Sequence, residues 1–184
     1  MRGAWLAFGC CLVGATSALA QSAAITVAEM CLSQGDAAFE QSLGDGVSEA
    51  DRGVLEGVFS VATFECLGLA MEICEGQGDG AACLADLATW TREARAAIVA
   101  DLPEALENDA PERAEGFARA LEYAAAPASE ASCSEMTEAE RTRYCVVVSE
   151  GLALEDAYVA WRLARQEGAV PLEGHAPVDL EILR

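Results

Sequence analysis

"ECLGLAMEICEGQGDGAACLADLATW", residues 65–90, holds Cys66, Cys74 and Cys83, and how these three sulfurs are used decides the fold. Seven residues separate the first two cysteines and eight the last two. Zinc sites favour C-x2-4-C pairs, often with histidine, and a thioredoxin-like redox pair needs C-x-x-C, so this spacing suits neither. Covalent staples remain. On one continuous helix Cys66 and Cys74 would sit ~12 Å apart, beyond the ~7 Å Cα separation that a disulfide spans. Either the helix ends near Met71 and the chain turns back, or each sulfur bonds elsewhere. Cys74 and Cys83 flank the glycine-rich "EGQGDGAA", which can fold over and let them meet.

The start of the chain bears on the redox question. "MRGAWLAFGCCLVGATSALAQ" has one early cation, Arg2, an apolar run from Ala4 to Ala15, and Ala18-Leu19-Ala20. These are the parts of a secretory signal peptide, and the run is shorter than the ~20 residues of a membrane span. Residues 1–20 are expected to be cleaved, taking Cys10 and Cys11 with them, and no membrane span is expected afterwards. Cys31, Cys66, Cys74, Cys83, Cys133 and Cys145 then remain. An even count in an oxidising periplasmic or secreted setting reads as three disulfides among fifteen possible connectivities. Cys133 and Cys145 can pair only if Cys133 folds back over the start of a helix.

Away from these residues the pattern is helical almost throughout. Short amphipathic pieces are expected from Thr26 and over "DAAFEQSLG" to Gly44. A longer helix follows Ser48, whose spacing to Asp51 resembles a capping box, with Leu55, Val58, Phe59, Ala62, Cys66 and Leu69 on one face. A third, from about Ala82 to Asp101, carries Cys83, Leu87, Trp90, Ala94 and Ile98. A fourth runs from Asp109 and Pro111 to before Pro127. Thr137 and Glu140 cap the last, which Gly151 can bend. "CVVV" at 145–148 reads as a buried helix face rather than a strand. The expectation is an all-α, disulfide-stapled bundle of about five helices: one domain over 21–168, and a loosely held tail, 169–184, containing Pro171, Gly174 and Pro177.

Charge narrows the partners. Thirty-one acidic residues face eleven arginines and no lysine, giving −20, and −21 once Arg2 leaves with the leader. Such a chain repels nucleic acid and anionic membranes and attracts basic proteins. Catalytic groups are sparse: His175 is the sole histidine and lies in the tail, no calcium loop surrounds Asp36, Asp45 or Asp79, and phosphate-loop and dinucleotide fingerprints are absent. No catalytic residue, metal ligand or cofactor is assigned, and the chain is not expected to be an enzyme. Trp90, Tyr158 and Trp161 sit on helical stripes and read as core. Trp161, with Arg162 and Arg165 beside it, is the candidate partner-binding anchor.

"CLGLAMEIC" at 66–74 and "CLADLATW" at 83–90 resemble the cysteine-rich exported domains of the LprI-type lysozyme inhibitor N-terminal family. "CSEMTEAER", through Cys133, Met136, Thr137 and Arg141, is similar to that family's later cysteine segment. The likeness covers residues 66–98 and, more thinly, 133–141. The family's Gln-Arg-x-Trp stretch is missing between Trp90 and Cys133, while Trp161 and Arg165 keep its W-x-x-x-R spacing. The resemblance implies a leader, a small helical body and binding to a cationic lysozyme-type muramidase. The alternative is a structural, envelope-associated helical domain with no soluble target.

Overall fold

The computed structural model describes residues 13–107 and 111–182. It contains five α-helices: α1 (Val13–Ser42), α2 (Glu49–Glu75), α3 (Gly80–Asp101), α4 (Pro111–Ala125) and α5 (Glu138–Gln166), with a 3-10 turn at Glu130–Cys133 before α5. No strand occurs among the described residues. Of the expected leader, residues 1–12 lie outside them, and α1 runs unbroken through Ala20.

Local sequence explains most of the helix starts. Ser48 accepts a hydrogen bond from the Asp51 N–H at the head of α2, and Asp79 does the same for Ala82 in α3. Thr137 and Glu140 form the reciprocal capping box that begins α5. Pro111 occupies the first turn of α4, where a missing N–H costs nothing.

The two pieces expected before Gly44 are one helix, because Gly35 continues the helix instead of breaking it. A Cβ at Gly35 would lie 2.7 Å from Cβ of Ala62, so the glycine is there to let α1 press against α2. Gly151 likewise lies inside the continuous α5. Its absent side chain makes room for Leu67, whose Cδ1 would be 2.8 Å from an added Cβ.

α5 is the central element and packs against α3, α4 and α2. One part of the core joins Ala24, Ala28, Leu67, Leu87 and Val147 around Cys74 and Cys83. A second gathers Leu32, Phe39, Ala62, Leu154, Tyr158 and Trp161. The third seats Phe117 of α4 against Ala160 and Ala164. Leu69, expected on the inner face of α2, is instead exposed, since the buried line of that helix runs through Leu55, Ala62, Thr63, Cys66, Leu67, Ala70 and Cys74.

All six cysteines among the described residues are bonded. Cys74 pairs with Cys83 across the glycine turn, at 5.3 Å between Cα atoms. Cys133 folds back over the start of α5 to Cys145, at 5.6 Å. Cys66 bonds Cys31 at 5.4 Å, stitching α2 to α1, so α2 has no need to end at Met71. Three disulfides suit an oxidising compartment.

Candidate functional site

Ionisable groups concentrate where α1, α5 and the C-terminal segment meet. Asp36 and Glu40 are one helical turn apart on α1, so both face α5. Tyr158, Arg162 and Arg165 come from the last turns of α5. After Gly168, whose φ of 71° lets the chain leave the helix, residues 169–182 run back across α1.

Glu40 organises this region. Its carboxylate accepts hydrogen bonds from the backbone N–H groups of Glu173 (2.6 Å), Gly174 (2.9 Å) and His175 (2.9 Å). Arg165 Nη1 donates to it at 2.5 Å, and His175 Nδ1 lies 3.2 Å from its Oε2. Burial alone would raise this carboxyl, but the His175 and Glu173 backbone donors and the His175 ring outweigh it and hold Glu40 below the usual range. Gln41 Oε1 accepts from the Val178 N–H a little further along. The segment expected to be loosely held is, over its described residues, strapped to α1 by side chains that sit over a hundred positions earlier.

Trp161, Arg162 and Arg165 are together, as the sequence grouped them, but they are buried rather than exposed. Trp161 packs edge-on against Tyr158 and tilted against Phe39, completing the second part of the core. The Arg165 guanidinium lies 3.5 Å from the Trp161 ring centre and is held between Glu40 and Glu173, with only 2% of its side chain exposed. Arg162 rests over the rings of Phe59 and Tyr158 and faces Glu155 at 3.8 Å. Aromatic faces and carboxylates here satisfy the cations internally. Sequence periodicity marked the stripe correctly as apolar; it could not show that the flanking arginines turn inward with it.

The groups that sequence reasoning passed over are Asp36, Glu40 and Glu150. Acids at i and i+4, Asp36 and Glu40, interleaved with the apolar Leu32 and Phe39, were the available signal for the first two. Glu150, on the inner face of α5, receives Arg92 Nε at 2.7 Å and Arg95 Nη2 at 3.3 Å from α3. Asp36 is left under-satisfied: its Oδ1 is shut away from solvent without a hydrogen-bond partner, as are Glu155 Oε2 and Arg162 Nε. Burial pushes the Asp36 carboxyl up to about 6, against the opposing pull of Arg162 and His175. Burial, with Asp36 close by, also pushes the Tyr158 hydroxyl upward.

The Asp36 shift has a measurable consequence. Its folded pKa lies above the ~3.9 of an unfolded aspartate, so folding takes up a proton between those values. This contribution to stability is complete below about pH 4 and is lost as pH rises through about 6. Asp36→Asn should therefore stabilise the protein by about 1–3 kcal/mol at pH 7.5, with the difference from the parent vanishing near pH 4. Denaturant titrations at the two pH values test this, and an equal effect at both would refute the assignment.

Two clefts border the strap. One, of about 390 Å³, lies between Ser33, Gln34 and Ala37 of α1, Val58 of α2 and the strap from His175 onward. The other, of about 370 Å³, is bounded by Asp101, Trp161, Arg165 and residues 169–173. His175 lines the first cleft, while Asp36 and Glu40 do not. Among the described residues no group of three or more His, Cys, Asp or Glu side chains is arranged to hold a metal ion. What the cluster does chemically is fasten the C-terminal strap across α1 and α5 through charge-assisted hydrogen bonds. Set against known proteins, the chain matches no family model, no curated protein and no solved structure.

Proposed function

We propose that this protein is an exported, disulfide-stapled interaction protein of the periplasm or the secreted fluid, and that it binds a cationic protein. The observation that carries the reading is how its charges are distributed. The chain carries −20, and each described arginine is already engaged. Arg92 and Arg95 are bound to Glu150, Arg162 to Glu155 and Arg165 to Glu40 and Glu173. Arg113 and Arg119 pair with Glu167 and Glu115, and Arg143 lies over Tyr144. Arg52 donates to the Ser42 carbonyl, and Arg141 to the carbonyls of Cys133, Ser134 and Met136. With the cations so committed, the solvent-facing surface is dominated by carboxylates, which draw in a basic partner over a Debye length of ~8–10 Å. The family that the cysteine segments resemble supplies the concrete candidate, a lysozyme-type muramidase.

The test is muramidase activity on cell walls against increasing amounts of the oxidised protein, with a disordered acidic polypeptide of equal charge as control. Inhibition is expected at low ionic strength, weakening toward physiological salt as the long-range attraction is screened. The disordered control should fall well short of it. Equal inhibition by the control, or none at micromolar protein, would rule the muramidase out and favour a structural, envelope-associated role.

A further inference from the structure

α2 is long and apolar enough to cross a membrane, yet only a third of its apolar window is buried in the fold. Its inner line, through Leu55, Ala62, Cys66 and Ala70, accounts for its contacts with α1, α3 and α5. The opposite side is uncovered: Val61 is 48% and Phe64 49% exposed. Gly53, Gly57 and Gly68 share that side, and a Cβ added at any of the three would meet nothing within 4 Å. At 100° per residue, Gly53, Gly57, Val61, Phe64 and Gly68 fall within an arc of about 80°. Glycine inside a helix lowers its stability relative to alanine, and here neither crowding nor a positive φ within the chain requires it. Together these residues make a shallow apolar stripe into which another backbone can approach closely.

The flanks of the stripe are acidic. On the same wheel Glu49 and Glu56 lie along one edge, and Glu65 and Glu72 along the other. All four are exposed, and none forms an ion pair among the described residues. The helix's only cation, Arg52 in its first turn, donates to the Ser42 carbonyl. A second copy of this chain would bring carboxylate rails against carboxylate rails between two bodies of charge −20. An anionic bilayer is repelled for the same reason.

We infer that the outer face of α2, from Gly53 to Glu72, is a docking surface for a basic amphipathic helix of another protein. The apolar side of that helix lies over Gly57, Val61 and Phe64, and its lysines or arginines reach the two glutamate rails. This rests on the reading of a cationic partner and adds where that partner sits and what shape it takes.

The probe is a fluorescent 18-residue peptide of leucine and lysine, amphipathic as a helix, titrated with the oxidised full chain and followed by anisotropy. Its comparator is a sequence isomer of the same composition with no apolar face when helical. The amphipathic peptide should bind at least about tenfold more tightly than the isomer, and Phe64→Ser should remove most of that advantage. Gly57→Leu, at a site open to solvent, should weaken binding about as much while leaving the melting temperature equal or higher, which separates lost docking from lost folding. Equal binding of both peptides, or indifference to Phe64→Ser and Gly57→Leu, overturns the docking surface while leaving charge-driven capture of basic proteins intact. Failure of both peptides and of a cationic muramidase to bind overturns both readings. Sedimentation showing a dimer that Phe64→Ser dissolves also overturns it, by assigning the face to a second copy.

Discussion

Glu40→Ala is expected to destabilise the protein by about 3–5 kcal/mol, since it removes the counter-charge of a buried cation. Arg165, 2% exposed along its side chain, would keep only Glu173, which is largely in solvent. Three backbone N–H groups, those of Glu173, Gly174 and His175, would lose their common acceptor in the same step. Two readouts follow: a lowered denaturation midpoint, and faster hydrogen exchange and proteolysis confined to residues 169–182. Glu167→Ala, which breaks the more exposed pairing with Arg113, is the comparison and should cost less than about 1 kcal/mol. Similar effects from the two substitutions would mean that the strap is held by something other than Glu40. The same clamp carries a pH signature. Because the folded Glu40 pKa is depressed, its contribution is present above the unfolded value of ~4.3 and is lost as pH falls below it. Protection of the strap amides should decline on acidification through that range, opposite in sense to the stabilisation that Asp36 gains on protonation.

Removing the Cys31–Cys66 bridge as a double alanine variant should cost about 4 kcal/mol, against about 2.5–3 kcal/mol for either of the other two, from the entropy of the loops each one closes. The separations are 35 residues for Cys31–Cys66, 9 for Cys74–Cys83 and 12 for Cys133–Cys145. The long-range bridge is also the one that fixes α1 on α2 beside the Gly35–Ala62 contact, so its loss loosens a close helix–helix approach. Against a total stability of ~5–15 kcal/mol, this is a large share of what holds the fold. Denaturant midpoints of the three double variants under oxidising conditions give the order directly. A larger loss for Cys74–Cys83 than for Cys31–Cys66 would contradict the loop argument.

What the sequence determined by itself was local. Ser48 and Thr137 start α2 and α5 because a side-chain oxygen three residues upstream satisfies an N–H that the helix cannot. The glycine turn after Glu75 ends α2 and brings Cys74 to Cys83 because the loop between them is short. The all-α character followed from the same 3.6-residue period. Tertiary structure decided the rest, through contacts between residues far apart in the chain. Gly35 reads as a helix breaker until Ala62 is seen against it, and Gly151 as a bend until Leu67 is. Nothing near Cys31 says that its partner is Cys66. Trp161, Arg162 and Arg165 have the composition of a surface anchor, and only the presence of Glu40, Phe59, Tyr158 and Glu173 around them turns them into interior. Residues 169–182 look unanchored because their acceptor lies 133 to 135 positions earlier, on α1. Helix formation depends on hydrogen bonds four residues apart, which a sequence displays. Burial of charge depends on which faces meet, and the period of one helix carries no information about the face opposite it.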